Sequence, residues 1–164
     1  MTENIEETIF GYSDGSAIGN PGPGGFGAIL KWRGHEKEFT GGYRKTTNNR
    51  MELMGAIVAL EALKKTSKVV MTTDSQYLVN AMNQGWAQRW RSNGWKRNKK
   101  DKALNPDLWE RLLRVTSKHR VTWEWVKGHS GHEENERCDF LANESARNNP
   151  ESIDTEFDLK DQHG

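Results

Sequence analysis

Apolar positions fall in short blocks early in the chain and recur at helical spacing later. The run Thr8-Ile9-Phe10-Gly11-Tyr12-Ser13 leads to Asp14, and Val69-Val70-Met71-Thr72-Thr73 leads to Asp74. Runs of this length, rich in β-formers and closed by turn residues, predict strands. Residues 19–25 read as a turn-forming stretch, 26–32 as a second strand, 33–35 as its turn and 37–44 as a third strand, giving an antiparallel meander. Thr46-Thr47-Asn48-Asn49 is a helix entry, and residues 50–65 are rich in strong helix formers. A fourth strand over 68–73 is followed by a helix from about Ser75, then by a Trp-rich basic stretch read as helix and loop. Asn105-Pro106-Asp107 opens another helix, with a capping residue, a proline at the first position and an acid in the first turn. Residues 121–126 form a fifth strand, 128–131 a loop and 134 to about 148 a last helix. Three strands in succession, then strands alternating with helices, predict an α/β fold with a mixed sheet covered by helices.

The length of 164 residues suits one domain over 1–164, with a core at about 9–147 and a poorly ordered tail over 148–164. With 29% charged and 34% hydrophobic residues, the chain reads as soluble and globular. No segment reads as a membrane span or signal peptide, and the single Cys138 excludes an internal disulfide, so a cytoplasmic address and a monomer are expected. The net charge of +1 conceals a polarity. The tail carries Glu151, Asp154, Glu156, Asp158 and Asp161 against Lys160 alone, whereas residues 89–102 hold Arg89, Arg91, Lys96, Arg97, Lys99, Lys100 and Lys102 against Asp101. The second segment is a footprint for a polyanion.

Four acids stand where the pattern predicts strand ends or inward helix faces: Asp14, Glu52, Asp74 and Asp139. Asp14 and Asp74 share a context, a small hydroxylated residue before and Gly15 or Ser75 after. If their strands lie parallel and adjacent, the carboxylates meet, and like charges so gathered call for a cation. Mg²⁺ is the natural one, being a hard ion that takes oxygen ligands. Glu52 fits a capping box with Asn49, yet at 100° per residue it shares its helix side with Ala56, Ala59, Leu60 and Leu63, while Glu61 falls opposite. Asp139 flanks the stripe of Cys138, Leu141, Ala142 and Ser145, a boundary position that also suits a solvated acid. Taken singly, Asp14 and Asp74 also suit a turn and a helix cap. His129, His132 and Cys138 are near in sequence, but their spacing fits no usual zinc pattern.

Five blocks then spell a known pattern. Ser13-Asp14-Gly15-Ser16 with the run 19–25, Thr46 to Leu53, Thr73-Asp74-Ser75-Gln76-Tyr77, Val126 to His132 and Asn135-Glu136-Arg137-Cys138-Asp139 resemble, in order, bacterial type 1 ribonuclease H. The resemblance implies a five-stranded mixed sheet flanked by helices, with a meander of strands one to three and with strands one, four and five parallel. It implies endonucleolytic hydrolysis of the RNA strand of an RNA–DNA hybrid, leaving 5′-phosphate and 3′-hydroxyl ends. Asp14, Glu52, Asp74 and Asp139 match the ligands of two Mg²⁺ ions held with substrate, Mn²⁺ being the alternative metal, and His129 matches the loop histidine. Asn20, Asn48, Asn49 and Gln76 match positions beside the RNA strand, where amides can meet 2′-hydroxyls. Thr47 and Asn105 match a grip on a DNA-strand phosphate, and Trp86 and Trp90 a channel for that strand, although their spacing of four equally suits packing against Trp109, and a mixture of packed and substrate-facing rings is expected. Arg50 either positions a phosphate or forms an ion pair. The link Arg91-Ser92-Asn93-Gly94 is less basic than the family's usual cluster. A junction resolvase or transposase core, or a non-catalytic hybrid-binding module, is the competing reading.

Overall fold

The computed structural model describes residues 7–157. Five strands form one sheet in the order β3-β2-β1-β4-β5: β1 (Thr8–Ala17), β2 (Gly22–Trp32), β3 (His35–Thr46), β4 (Lys68–Thr73) and β5 (Arg120–Trp125). β1 is antiparallel to β2 and parallel to β4, β2 is antiparallel to β3, and β4 is parallel to β5. The helices are α1 (Asn48–Glu61), α2 (Gln76–Asn83), α3 (Trp86–Ser92), α4 (Pro106–Thr116) and α5 (Glu133–Asn148). No helix among the described residues is long and apolar enough to cross a membrane. The mixed sheet with its meander and parallel half is the one the sequence predicts.

Two differences from the predicted elements bear on the site. β1 does not stop at Asp14 but runs on to Ala17 against β2, while its other neighbour, β4, ends at Thr73. The glycine-rich run also enters the sheet earlier than a turn reading allows, with Gly24 and Gly25 paired to Ala17 and Ser16. Glycine is needed there because α5 lies directly on the strand: a Cβ on Gly25 would sit 2.5 Å from the Ala142 carbonyl, and one on Gly27 2.5 Å from that of Cys138.

Helix α1 lies on the opposite face and is buried nearly all round, from Arg50 to Ile57 and at Ala59 and Leu60. It is sandwiched between the sheet and α4, whose Trp109 and Leu112 are fully buried in the same core. Its true cap is Thr47, whose Oγ1 accepts from the Arg50 N–H at 3.2 Å, so the helix starts two residues earlier than expected. The tail also departs from expectation. Ser152 pairs with β3, exchanging backbone bonds with Gly42 and Arg44 at 3.0 and 2.8 Å. Asp154 is buried against Arg50. A buried cation needs a counter-charge, and Asp154 supplies it, which ties the chain down beyond Pro150. Asp158, Lys160 and Asp161 of the expected tail lie outside the described residues.

Candidate active site

The register of β1 and β4 sets two acids side by side. Ser13 pairs with Thr73, so the next residue on each chain, Asp14 or Asp74, emerges at the same edge. Asp14 stands opposite Gly27 and shares its face, the one α5 covers. Glu52 arrives from the other face, on the first turns of α1. The sheet is open between them because β4 has ended. A Cβ on Gly15 would fall on the Glu52 backbone nitrogen and the Met51 carbonyl carbon, so this glycine lets α1 approach β1 closely enough for Glu52 to reach the opening. One oxygen from each of Asp14, Glu52 and Asp74 then lies within 4.8 Å of the others.

The three carboxylates are costly as anions. Asp14 is 3% exposed and Glu52 8%. Burial, then the charge of Asp74, pushes Asp14 up from its ordinary 3.8 to about 7. Burial, with Asp14 next, holds Glu52 well above the usual carboxylate range, and burial raises Asp74. Glu52 Oε2 is buried with no hydrogen-bond partner. An orphaned carboxyl oxygen beside two other carboxyl groups, all of them costly to ionise without a counter-charge, fits a hard cation: oxygens on opposite sides of one Mg²⁺ lie about 4 Å apart.

Asp139 is placed differently. It is half-buried on α5 and outside the compact trio, although its charge raises both Asp14 and Asp74. His129 is exposed, at φ 57° in the loop between β5 and α5, and its charge favours the ionised form of Asp74. The loop presses on that acid, since a Cβ on Gly128 would lie 2.8 Å from Asp74 Oδ2. His132 is no metal ligand in this arrangement; its Nδ1 caps α5 by accepting from the Asn135 N–H at 3.1 Å.

Asn20 Oδ1 accepts from the Asn48 N–H at 2.9 Å, which joins two of the expected amides, while Asn49 and Gln76 are exposed at the first turns of α1 and α2. Thr47 and Asn105 sit at the starts of α1 and α4. Asn105 occupies the N-cap position of α4 as the sequence reading has it, but its side chain makes no capping bond: it adopts φ 58°, and its Oδ1 accepts from Arg50 Nη1 at 3.2 Å. Arg50 is an ion pair rather than a phosphate ligand, bound to Asp107 at 2.6 Å and to Asp154 at 2.7 Å. Trp90 is a core residue, 8% exposed and edge-on to Trp109 at 5.7 Å, whereas Trp86 stays half-buried. Both line a cavity of about 860 Å³ with Arg89, Lys96 and Arg97. Asn135, buried and with its Oδ1 unpartnered, favours the ionised form of Asp74 by hydrogen bonding. Sequence reasoning placed Asn135 in the last family block but gave it no role, because an asparagine inside a helix carries no pattern of its own.

Fold and site together define an α/β protein whose central strands end in a carboxylate pocket suited to divalent cations. The RNase H family profile matches residues 6–147. A ribonuclease H of Syntrophus aciditrophicus (strain SB) is 59% identical over 141 residues, covering 86% of this chain and 82% of the relative. Among solved structures, LC9-RNase H1, a type 1 RNase H with the type 2 active-site motif, aligns with a TM-score of 0.77 at 33% identity, over 88% of this chain and 74% of that one. LC11-RNase H1 in complex with RNA/DNA hybrid aligns with a TM-score of 0.64 at 25% identity, over 91% and 99%. This chain belongs to the RNase H family, in its bacterial type 1 branch.

Proposed function

We infer that this chain is a metal-dependent endonuclease that hydrolyses the RNA strand of RNA–DNA hybrids, leaving 5′-phosphate and 3′-hydroxyl ends, and that Mg²⁺ is its metal. The observation that carries this reading is the partnerless, buried Glu52 Oε2 grouped with Asp14 and Asp74. Asp14, Glu52, Asp74 and Asp139 would hold two divalent ions when substrate is bound. Such ions, when bound, would supply charge at the attacking water, the phosphate oxygens and the leaving 3′ oxygen.

The protein's own residues do the rest. By likeness to the family, Asp14 would help hold both ions, Asp139 would help hold the ion that activates water, and Glu52 and Asp74 would help hold the ion that eases departure of the 3′ oxygen. His129, on its exposed loop beside Asp74, takes a proton or assists product release. The amides of Asn20, Asn48, Asn49 and Gln76 read 2′-hydroxyls across the minor groove, which distinguishes ribose from deoxyribose. Thr47 retains a hydroxyl proton for a phosphate while its oxygen caps α1, and Asn105 offers its Nδ2. Trp86 and the edge of Trp90 line a basic groove for the DNA strand. The buried, free Cys138 supports a reducing, cytoplasmic address, and the active form is expected to be a monomer.

The test is cleavage of a labelled hybrid beside duplex DNA and a four-way junction, with Mg²⁺, Mn²⁺ or chelator. Cutting is expected in the RNA strand of the hybrid alone and only with metal; efficient cutting of plain duplex DNA would overturn the specificity. Gly15→Ala tests the geometry. Its methyl strikes α1 backbone rather than a movable side chain, so we expect a stability loss of about 1–3 kcal/mol and a larger proportional loss of cleavage as Glu52 is pushed away. Melting curves and initial rates check this; wild-type activity would show that α1 can shift without moving Glu52.

A further inference from the structure

Asp139 is the proposed ligand that stands outside the compact trio, and its neighbour is tied in two directions. Asn143, one turn along α5, donates from Nδ2 to Asp139 Oδ1 at 3.2 Å and to the Asp139 carbonyl at 2.9 Å. Its own Oδ1 accepts from Ser16 Oγ at 2.8 Å. Ser16 lies on β1 two residues beyond Asp14, in the stretch that continues past the end of β4. One amide therefore joins the strand that carries Asp14 to the helix turn that carries Asp139.

The chemistry of the bridge is directional. An amide donates at one end and accepts at the other; the Asp139 carboxylate and carbonyl, which only accept, take the Nδ2 end, and the Ser16 hydroxyl, which can donate, holds the Oδ1 end. Without that anchor the amide is held only by Asp139 and can swing with it away from the site. Asp139 is repelled by Asp14 and Asp74, and an unrestrained side chain would turn toward solvent. A donor fixed on its Oδ1 opposes that swing and leaves the other oxygen for a ligand. We propose that Asn143, anchored by Ser16, is a positioning residue that holds Asp139 in the orientation in which it meets a divalent cation. The inference rests on the ligand role assigned to Asp139 above.

Three variants separate orientation from a simple structural tie. Asn143→Ala removes both bonds. Asn143→Asp keeps an acceptor for Ser16 but replaces the donor to Asp139 with a repelling carboxylate. Ser16→Ala keeps the donor and releases its anchor. The readouts are the Mg²⁺ concentration for half-maximal hybrid cleavage, KM for hybrid at saturating Mg²⁺, and Mn²⁺ affinity by calorimetry without substrate.

Asn143→Ala is expected to raise the half-maximal Mg²⁺ by about 10-fold, Asn143→Asp by more and Ser16→Ala by less. Mn²⁺ affinity should fall in the same order while KM for hybrid holds. If the bridge were only a tie, Asn143→Asp would behave as wild type and Ser16→Ala as Asn143→Ala; that order overturns the proposal. Tighter Mn²⁺ binding by Asn143→Asp also overturns it, because added charge would then outweigh orientation. A wild-type metal response in Asn143→Ala, with Asp139→Asn inactive, removes the positioning role alone. Full activity in Asp139→Asn removes the ligand assignment and the proposal with it.

Discussion

Asp14→Asn is expected to lower Mg²⁺-dependent cleavage of a hybrid by about a thousand-fold or more while hybrid binding survives. The same change should stabilise the metal-free protein at pH 8. Burial and the charge of Asp74 raise the Asp14 carboxyl from 3.8 to about 7, so the folded state holds this proton more tightly than the unfolded chain does. The cost of ionising it in the fold is absent below its unfolded value and grows as pH climbs through about 7. An asparagine carries no such cost. Asp14→Asn should therefore melt higher than wild type at pH 8, by a margin bounded near about 4 kcal/mol, and lose that margin toward acid pH. Mg²⁺ should raise the melting temperature of wild type at pH 8 and do less for the variant. Equal melting temperatures at pH 8, or full cleavage by the variant, would remove the basis for the metal site. His129→Ala should slow turnover far less, since the loop histidine is exposed and holds no ion.

Arg50→Ala is expected to cost about 3–5 kcal/mol of stability, the largest loss we expect from a single polar substitution. Arg50 is 2% exposed, yet all of its bonding capacity is used. Nε and Nη2 donate to Asp154 at 2.7 and 3.0 Å, Nη1 and Nη2 to Asp107 at 3.0 and 2.6 Å, and Nη1 also to Asn105. Removing the guanidinium strands Asp154, which is 9% exposed and, among the described residues, otherwise accepts a side-chain hydrogen bond only from Thr46 Oγ1 at 2.7 Å. Asp154→Ala should cost less, because Asp107 continues to balance Arg50. A chain ending at Asn149 should reproduce most of the Asp154→Ala loss. Urea unfolding of the three proteins checks the order. If truncation leaves stability unchanged, the tail does not contribute to the fold. Hybrid KM should also rise in Arg50→Ala, since Asn105 loses the bond that orients it.

The acids of the site were legible to different degrees. Asp14 and Asp74 announced themselves by sharing a context at the ends of apolar runs, and the register of two parallel strands turned that likeness into adjacency. Glu52 was legible for a weaker reason than it first offers: nearly every residue of α1's first half is buried, so lying on an apolar side discriminates little. The capping pattern with Asn49 was misleading, because Thr47 caps the helix. Trp90 matched a substrate position with packing against Trp109 as its alternative, and the structure shows that packing, since spacing places rings on one face without saying what covers it.

The strands and helices, the mixed sheet, the four candidate acids and the family motifs were all present in local pattern, because period-two and helical repeats and short motifs are written along the chain, while strand order came from the family resemblance. Tertiary structure alone decided the rest. It set Asp139 apart from the trio and engaged Arg50 with a tail acid 104 residues away. It also placed Ser16 against Asn143, 127 residues distant, and left Glu52 Oε2 without a partner. Each of these depends on which side chains meet after the sheet and helices close on one another, and no local repeat encodes such meetings.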